Sequence, residues 1–245
     1  MPVLLRALTC FLLALVLALA GCTVARMDVA PSLRAATVEM PVSGREVMGM
    51  DRAIAFGPYR TVGVNRSWTS TTGFGAAWGN VDYSHLNSSQ RYQFNLVAPG
   101  AAPMTCQCAV GAHRQWLDLD MGSGGELNMQ LAGQNSLACA LVPADGGPPW
   151  RLVLGRSAGS AAFTGVLTSR QKAFNLRGSQ RLAGSSIPLG EATGYEFVYA
   201  GQPVAAVEVI NDGAVYMPPG PPDDEHRALA AAAAAILLHM EIGRR

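Results

Sequence analysis

One pentapeptide of the sequence has the G-x-S-x-G spacing that can expose a nucleophilic serine. Gly155-Arg156-Ser157-Ala158-Gly159 follows the apolar run 152–154, as a sharp turn between a strand and a helix would require. The residues that come next, 161–167, have the composition of a strand, and no alternation of strands and helices surrounds the motif. The pattern favours a Gly/Ser hairpin turn, and a hydrolase that uses Ser157 is the alternative.

Two carboxylates form a second group that could do chemistry. Asp118 and Asp120 alternate with Leu117 and Leu119, so both acids lie on one face of a predicted strand. A carboxylate pair can serve glycoside hydrolysis or bind a metal, but hydrolysis needs the second carboxylate across a cleft. Acids on the outer face of a half-buried strand are commonly solvated and discourage edge pairing. We expect no catalytic residue, with a hydrolase based on the Asp118/Asp120 face or Ser157 as the alternative.

Three cysteines, Cys106, Cys108 and Cys139, are candidates for a disulfide or a metal site. Cys106 and Cys108 stand two apart in a predicted strand, so they share a face and only one of them can meet Cys139. A zinc site lacks a fourth ligand at recognisable spacing, and His113 alone does not supply it. In an oxidising compartment we expect one disulfide and one buried free thiol, with free thiols or a metal as the alternatives.

The N-terminus has the features of an export signal that ends in a cysteine. One cation, Arg6, precedes the uncharged apolar stretch 7–19, which is short for a membrane span. Leu19-Ala20-Gly21-Cys22 then resembles the lipobox of bacterial lipoproteins. The resemblance implies that residues 1–21 are a signal peptide, that Cys22 is acylated after cleavage, and that Thr23 at the next position favours the outer membrane. An ordinary secretory signal with a chance cysteine is the alternative.

Composition narrows the classes of partner. The sequence has 18 basic and 17 acidic residues, so removal of Arg6 with the signal leaves 17 of each and a formal charge of zero. A neutral chain argues against a nucleic-acid-binding surface. The sequence contains no phosphate-binding loop and no H-E-x-x-H motif, and we expect no cofactor and no metal. The expected partners are the membrane, through Cys22, and an envelope protein, lipid or peptidoglycan.

The elements that must position these residues are mostly short strands. Residues 22–42 have few periodic apolar residues and two prolines, the composition of a tether between lipid and domain. Residues 43–245 are expected to form a single domain. About twelve short strands, of which 91–97 alternates most clearly, are separated by Gly, Pro, Asn or Asp clusters. Such spacing predicts an all-β sandwich or barrel.

The final segment breaks the strand pattern. Two consecutive prolines end the preceding strand, Asp223 or Asp224 can cap a helix, and residues 228–238 are continuously apolar. This run falls well short of the roughly 20 residues that cross a bilayer. A helix that is apolar on every side must be buried on every side. We therefore predict a helix over 224–242 inside a β-barrel, with a β-sandwich and a covering helix as the alternative.

The order of elements in 204–238 carries a second resemblance. A strand, a turn at Asn211-Asp212-Gly213, a short strand, two prolines, an acidic cap and an apolar helix follow one another. This order is similar to the tubby C-terminal-like superfamily, which includes the LURP-one-related proteins and the phospholipid scramblases. The resemblance implies a closed antiparallel barrel around a hydrophobic C-terminal helix over 45–242, and lipid contact by analogy. The segment Phe56-Gly57-Pro58-Tyr59-Arg60 also resembles segments of uncharacterised proteobacterial lipoproteins.

Aromatic residues are densest between 59 and 83, where arginines are interspersed with them. Such a stretch can line a sugar- or lipid-binding groove, but packing in the core and in hairpins is the interpretation that we favour. The candidate binding residues are Tyr59, Arg66, Trp68 and Trp78. The sequence thus predicts a non-enzymatic outer-membrane lipoprotein that faces the periplasm, with binding on its outer surface.

Overall fold

The computed structural model describes residues 24–45, 53–67, 70–78, 81–120, 126–156 and 164–239. For the strand residues among 70–88 and 112–135, and for Arg156, the backbone alone is described. These ranges contain two helices, α1 (Pro31–Ala36) and α2 (Asp224–Leu238). The strands are β1 (Val38–Pro41), β2 (Ala55–Phe56), β3 (Tyr59–Arg66), β4 (Ser70–Trp78), β5 (Val81–Val97), β6 (Met104–Asp120), β7 (Glu126–Pro143), β8 (Trp150–Arg156), β9 (Thr164–Thr168), β10 (Ala173–Ser179), β11 (Gly194–Tyr199), β12 (Gln202–Glu208) and β13 (Ala214–Met217).

These strands form one antiparallel sheet that curls into a nearly closed barrel. The sheet runs in the order β1-β13-β12-β11-β10-β9-β8-β7-β6-β5-β3-β2, and β4 pairs with β5 off this path. The two ends of the path meet at an antiparallel bridge between Ser43 and Ala55. The backbone N–H of Ser43 donates to the Ala55 carbonyl at 2.9 Å, and the Ala55 N–H donates back at 3.0 Å. Closing the path in this way joins β1, through Ser43 just beyond it, to β2, and these are the two ends that an open sheet would leave exposed.

The longest strands differ from the short ones that the sequence predicts. Residues 91–97, which we expected to form a short strand of their own, belong to one strand of 17 residues, β5, which begins at Val81. β6, which pairs with β5, has 17 residues, and β7, which pairs with β6, has 18. The polar residues between the apolar runs do not end these strands, because the ladder of β5–β6 and β6–β7 pairs continues through them. A run of polar residues is therefore compatible with a continuous strand, as long as the backbone N–H and carbonyl groups stay paired.

Helix α2 fills the interior of the barrel. Every residue from Arg227 to Leu238 is buried, and the six consecutive alanines 230–235 have no exposed surface. Inward-facing side chains of the wall, such as Phe94 and Leu152, belong to the same apolar core as the helix. Alanine keeps the helix thin, so the wall can approach its backbone closely. The predicted barrel around a buried C-terminal helix is confirmed, and the β-sandwich alternative is not the fold.

The helix begins where the sequence predicts and ends earlier. The Asp223 carboxylate caps the first turn, because its Oδ1 accepts from the His226 N–H at 2.8 Å. The prediction of a helix to Ile242 is wrong, because α2 ends at Leu238 and His239 has an extended backbone with φ −63° and ψ 125°. The sequence has no Gly or Pro before Gly243 to mark this end. Most hydrogen bonds to the last carbonyls of the helix come from residues distant in the chain.

The N-terminal segment is part of the folded unit. The prediction of a tether over 22–42 is wrong for residues 24–42, since α1 lies against the barrel and β1 pairs with β13. Met27, Val29 and Leu33 are at most 3% exposed, and they pack with Ala206 and Tyr216 in a second apolar cluster. Both partners alternate with inward-facing residues along their strands, so this cluster lies on the outside of the barrel.

Candidate functional sites at the ends and wall of the barrel

The last carbonyl groups of α2 receive hydrogen bonds from outside the helix. The last four carbonyls of any helix lack an intrahelical partner. Here the Tyr92 hydroxyl of β5 donates to the Ala235 carbonyl at 2.7 Å. The His239 N–H donates to the Ile236 carbonyl at 3.2 Å. Burial raises the pKa of Tyr92 well above its usual range, so this hydroxyl keeps its proton and remains a donor.

Two arginines bond the remaining carbonyls. Arg45 Nε donates to the Leu237 carbonyl at 3.2 Å, and Arg66 Nη1 donates to the Leu238 carbonyl at 2.7 Å. The Arg66 guanidinium also lies 5.3 Å from the centroid of the Tyr92 ring. Positive charge at a helix C-terminus is stabilised by the helix dipole. The arrangement therefore gives Arg66, a candidate binding residue, a structural role at the end of α2.

The structure separates the other candidate binding residues. Tyr59 and Arg66 are the first and last residues of β3, about 23 Å apart at the usual rise of an extended strand. Tyr59 is only 4% exposed, its ring centroid lies 5.7 Å from that of Phe56, and burial raises its pKa to about 12. Tyr59 is therefore a core residue, as the packing interpretation predicts, and it does not line one surface groove with Arg66. Trp68 and the side chain of Trp78 lie outside the described residues.

A groove of about 610 Å³ does lie on the outer wall, across β3, β5, β6 and β7. Its position follows from an irregularity of β3, where the register with β5 shifts between Val62 and Asn65. Gly63 takes φ +62° at this point, a backbone conformation that glycine adopts at low cost. The groove is lined by Asn65, Ser67, Arg91, Tyr92, Gln93, Gln107, Cys108, Ala109 and Ala138.

The groove carries several polar side chains, and hydrogen bonds hold two of its lining residues together. Arg91 is the single charged side chain among its lining residues, and the others that carry polar groups are mainly amides and hydroxyls. Ser67 is joined to Arg91 by two hydrogen bonds, from its own N–H to the Arg91 carbonyl and from the Arg91 N–H to its hydroxyl. Such a surface can exchange hydrogen bonds with a neutral polar or an anionic group. Sequence reasoning missed it, because the register shift that opens it has no signal beyond one glycine.

The cysteines form the expected single disulfide. Cys108 and Cys139 are bonded and stand directly opposite each other in β6 and β7, with a Cα–Cα distance of 4.1 Å. Cys106 is free and fully buried. Burial raises the pKa of its thiol far above its usual range, which makes it unreactive in the folded chain. The prediction of one disulfide and one buried free thiol is confirmed for these three residues. All three lie in the wall of the barrel, in β6 and β7.

The residues of the hydrolase alternative are only partly described. β8 and β9 pair antiparallel, with Gly155 opposite Thr164, so the Ser157 motif connects neighbouring strands of one sheet. Residues 157–163 themselves lie outside the described residues, and so does Cys22. The backbones of Asp118 and Asp120 lie in β6, and their side chains are likewise outside the description. Within the described ranges, no group of three or more His, Cys, Asp or Glu residues could hold a metal ion.

A charged cluster fastens the N-terminal segment to the outer wall. Arg26 Nε donates to both carboxylate oxygens of Glu208, at 3.0 and 3.1 Å. Arg26 Nη2 donates to Glu39 at 2.5 Å and to the Tyr216 hydroxyl at 3.0 Å. The Glu208 side chain is only 2% exposed, so Arg26 neutralises a buried charge. This contact joins residues 182 positions apart and could not be recognised from the sequence.

Together these features define an antiparallel β-barrel that is filled by its own C-terminal helix and carries an N-terminal segment on its outside. Comparison with protein families, with curated proteins and with solved structures finds no match to the chain. The resemblance to bacterial lipoproteins and to the tubby-like superfamily therefore stays a prediction. In the part of the chain that is described, neither helix is long and apolar enough to cross a membrane.

Proposed function

We propose that the protein is an outer-membrane lipoprotein, anchored through Cys22 on the periplasmic face, with a non-enzymatic binding or structural role in the cell envelope. The lipobox-like sequence 19–22 supports the anchor. Acyl chains contribute about 0.8 kcal/mol per buried methylene, so several chains on one cysteine hold a domain firmly. The disulfide between Cys108 and Cys139 is in keeping with an oxidising compartment.

The filled interior is the observation that carries the non-enzymatic role. Because α2 is buried at every position from 227 to 238, the space that a ligand could occupy inside a barrel is taken by the protein itself. A partner must then meet the outside of the barrel, and the groove beside Arg91 is a concave surface there. Its amides and its one cation suit the hydroxyl, amide and carboxylate groups of peptidoglycan, a lipid headgroup or a polar face of an envelope protein.

Membrane fractionation tests the anchor. Wild type and Cys22→Ser are expressed in a Gram-negative bacterium, and inner and outer membranes are separated by density. We expect wild type in the outer membrane, and loss of Cys22→Ser from that fraction. Equal recovery of both chains in the outer membrane would show that Cys22 is not the anchor.

Site-specific photo-crosslinking tests the groove as the contact surface. A photoreactive residue replaces Gln107 in the groove, and the matched control replaces Ala173, which is exposed in β10 on another part of the wall. We expect a discrete cross-linked species in cells only from position 107. The same products from both positions, or none from position 107, would contradict a contact at the groove.

A further inference from the structure

The start of the described N-terminal segment pairs with one loop of the barrel. Met27 forms an antiparallel bridge with Leu182, in the loop between β10 and β11. The Asp28 N–H donates to the Arg181 carbonyl at 3.1 Å, and the Ala183 N–H donates to the Arg26 carbonyl at 2.9 Å. The first described residues of the chain are therefore held by this loop through regular backbone pairing.

This contact lies at the end of the barrel where α2 ends. The Asn211 amide, in the turn between β12 and β13, donates to the Ala25 carbonyl at 2.6 Å. The Asn211 carbonyl accepts from Arg45 Nη1 at 3.1 Å, and Arg45 also bonds the Leu237 carbonyl of α2. One set of contacts thus connects the N-terminal segment, this turn and the C-terminal end of the helix.

The same end exposes apolar side chains. Val24 is 65% exposed, Ile187 is 73% exposed and Leu189 is 40% exposed. Ile187 and Leu189 belong to the loop that holds the N-terminal segment, and the Leu189 N–H donates to the Gln180 carbonyl at 2.8 Å to close it. Single exposed apolar residues are common, but these belong to two backbone-paired segments at the point where the chain leaves the barrel.

The length of chain between Cys22 and the barrel is short. Cys22 is two residues from Val24, and two extended residues span at most about 7 Å. An acyl group on Cys22 would therefore bring Val24 to the surface of the bilayer. We propose that Val24–Asp28 and the loop 180–189 form a seat that rests on the phospholipid bilayer and gives the barrel a fixed orientation. This inference rests on the proposed acylation of Cys22.

The charges at this end of the barrel indicate whether the contact requires anionic lipid headgroups. Arg26 and Asp28 lie in the N-terminal segment and Arg181 in the loop that pairs with it, and Arg26 is already paired with Glu39 and Glu208. Opposite charges in balance give little attraction to an anionic surface. The seat therefore depends on the anchor and on the apolar side chains, and it should form on neutral and on anionic bilayers alike.

Thiol accessibility tests the seat on the full acylated protein. Ile187→Cys places a thiol in the seat, and Ala144→Cys places one in an exposed turn whose neighbour Asp145 pairs with Arg227 at the opposite end of α2. Each variant is reconstituted in vesicles of phosphatidylethanolamine and phosphatidylglycerol, and in vesicles of phosphatidylcholine alone. The rate of reaction with a charged, water-soluble maleimide is compared with the rate in detergent, and intact mass reports acylation. Buried Cys106 sets a low background.

The seat predicts that vesicles slow Ile187→Cys by about tenfold or more, as expected for a side chain at the headgroup level, with both lipid compositions. The rate of Ala144→Cys should change by less than about twofold, since that turn faces away from the bilayer. An acylated chain whose Ile187→Cys rate does not change, or in which both sites slow equally, overturns the seat alone. A chain without acyl mass overturns the proposed anchor, and the seat with it.

Discussion

Ala233 lies in the middle of α2 and has no exposed surface. Replacing it with Asp places a carboxylate inside the barrel, where the neighbouring helix positions are alanines and the surrounding wall is apolar. A buried carboxyl without a partner responds by a raised pKa, because burial disfavours its charged form. Shifts of about 3–5 units are reached in fully buried positions, and each unit corresponds to about 1.36 kcal/mol.

The expected loss of unfolding free energy is therefore about 4–7 kcal/mol at a pH above the raised pKa. This is a large part of the roughly 5–15 kcal/mol that stabilises a typical domain. The sign of the pH dependence follows from the raised pKa. Below about pH 4 the carboxyl is protonated in both states and the charge penalty is absent. As the pH rises, the unfolded chain ionises first, so the penalty grows by about 1.4 kcal/mol per pH unit.

Urea unfolding followed by far-ultraviolet circular dichroism measures this effect between pH 4.5 and 8. The matched control is Ala140→Asp, since Ala140 is exposed in β7 and lies opposite Arg151. The control should stay within about 0.5 kcal/mol of wild type. If Ala233→Asp and the control had the same free energy of unfolding at every pH, the helix could not be enclosed by the barrel.

Three further predictions concern the wall, the N-terminal segment and the end of α2. Cys139→Ala should lower the free energy of unfolding by about 3–4 kcal/mol, because the disulfide closes a loop with a sequence separation of 31; urea unfolding that gives the same value for Cys139→Ala and for Cys106→Ala would contradict this. Arg26→Ala leaves the Glu208 carboxylate buried without its cation, so it should cost about 2–4 kcal/mol and speed hydrogen exchange in residues 24–36; exchange as slow as in wild type would refute the role of Arg26. Burial lowers the pKa of His239 from 6.5 to about 4. The unfolded chain therefore takes up the proton first, and the free energy of unfolding falls as the pH falls from 6.5 to about 4. His239→Gln should reduce this fall by up to about 3 kcal/mol, and an unchanged pH profile of stability would show that His239 is not the responsible group.

The architecture could be predicted because one segment carries an unusually informative signal. The run 228–238 has no polar face, so it can only be stable with apolar neighbours on every side. Combined with many strand-like segments, that requirement leaves few arrangements besides a barrel with a filled interior. The single disulfide was predictable for a similar reason, since the spacing of Cys106 and Cys108 puts both thiols on one face.

The N-terminal segment could not be predicted in the same way. Met27, Val29 and Leu33 follow no single helical or strand period, and their partners Ala206, Ala214 and Tyr216 lie on the outside of β12 and β13. The ion pair that fastens the segment joins Arg26 to a residue near the other end of the chain. Such contacts depend on which strands the fold brings together, and no local pattern reports them.

The end of α2 shows the same limit. Residues 239–242 contain no Gly or Pro that would mark a helix end, so the sequence pattern extends the helix too far. Arg45 and Arg66 supply the hydrogen bonds that end it, and both approach from the barrel wall. Arg66 bonds the end of α2. An arginine between aromatic residues in the sequence was therefore not sufficient to identify a binding groove.

Intact mass spectrometry of the chain purified from bacterial membranes tests the central claim most directly. Wild type should begin at Cys22 and carry the added mass of acyl chains on that residue. Cys22→Ser should carry none. A wild-type chain recovered without acyl mass would contradict the lipoprotein assignment and return Cys22 to the pool of free thiols.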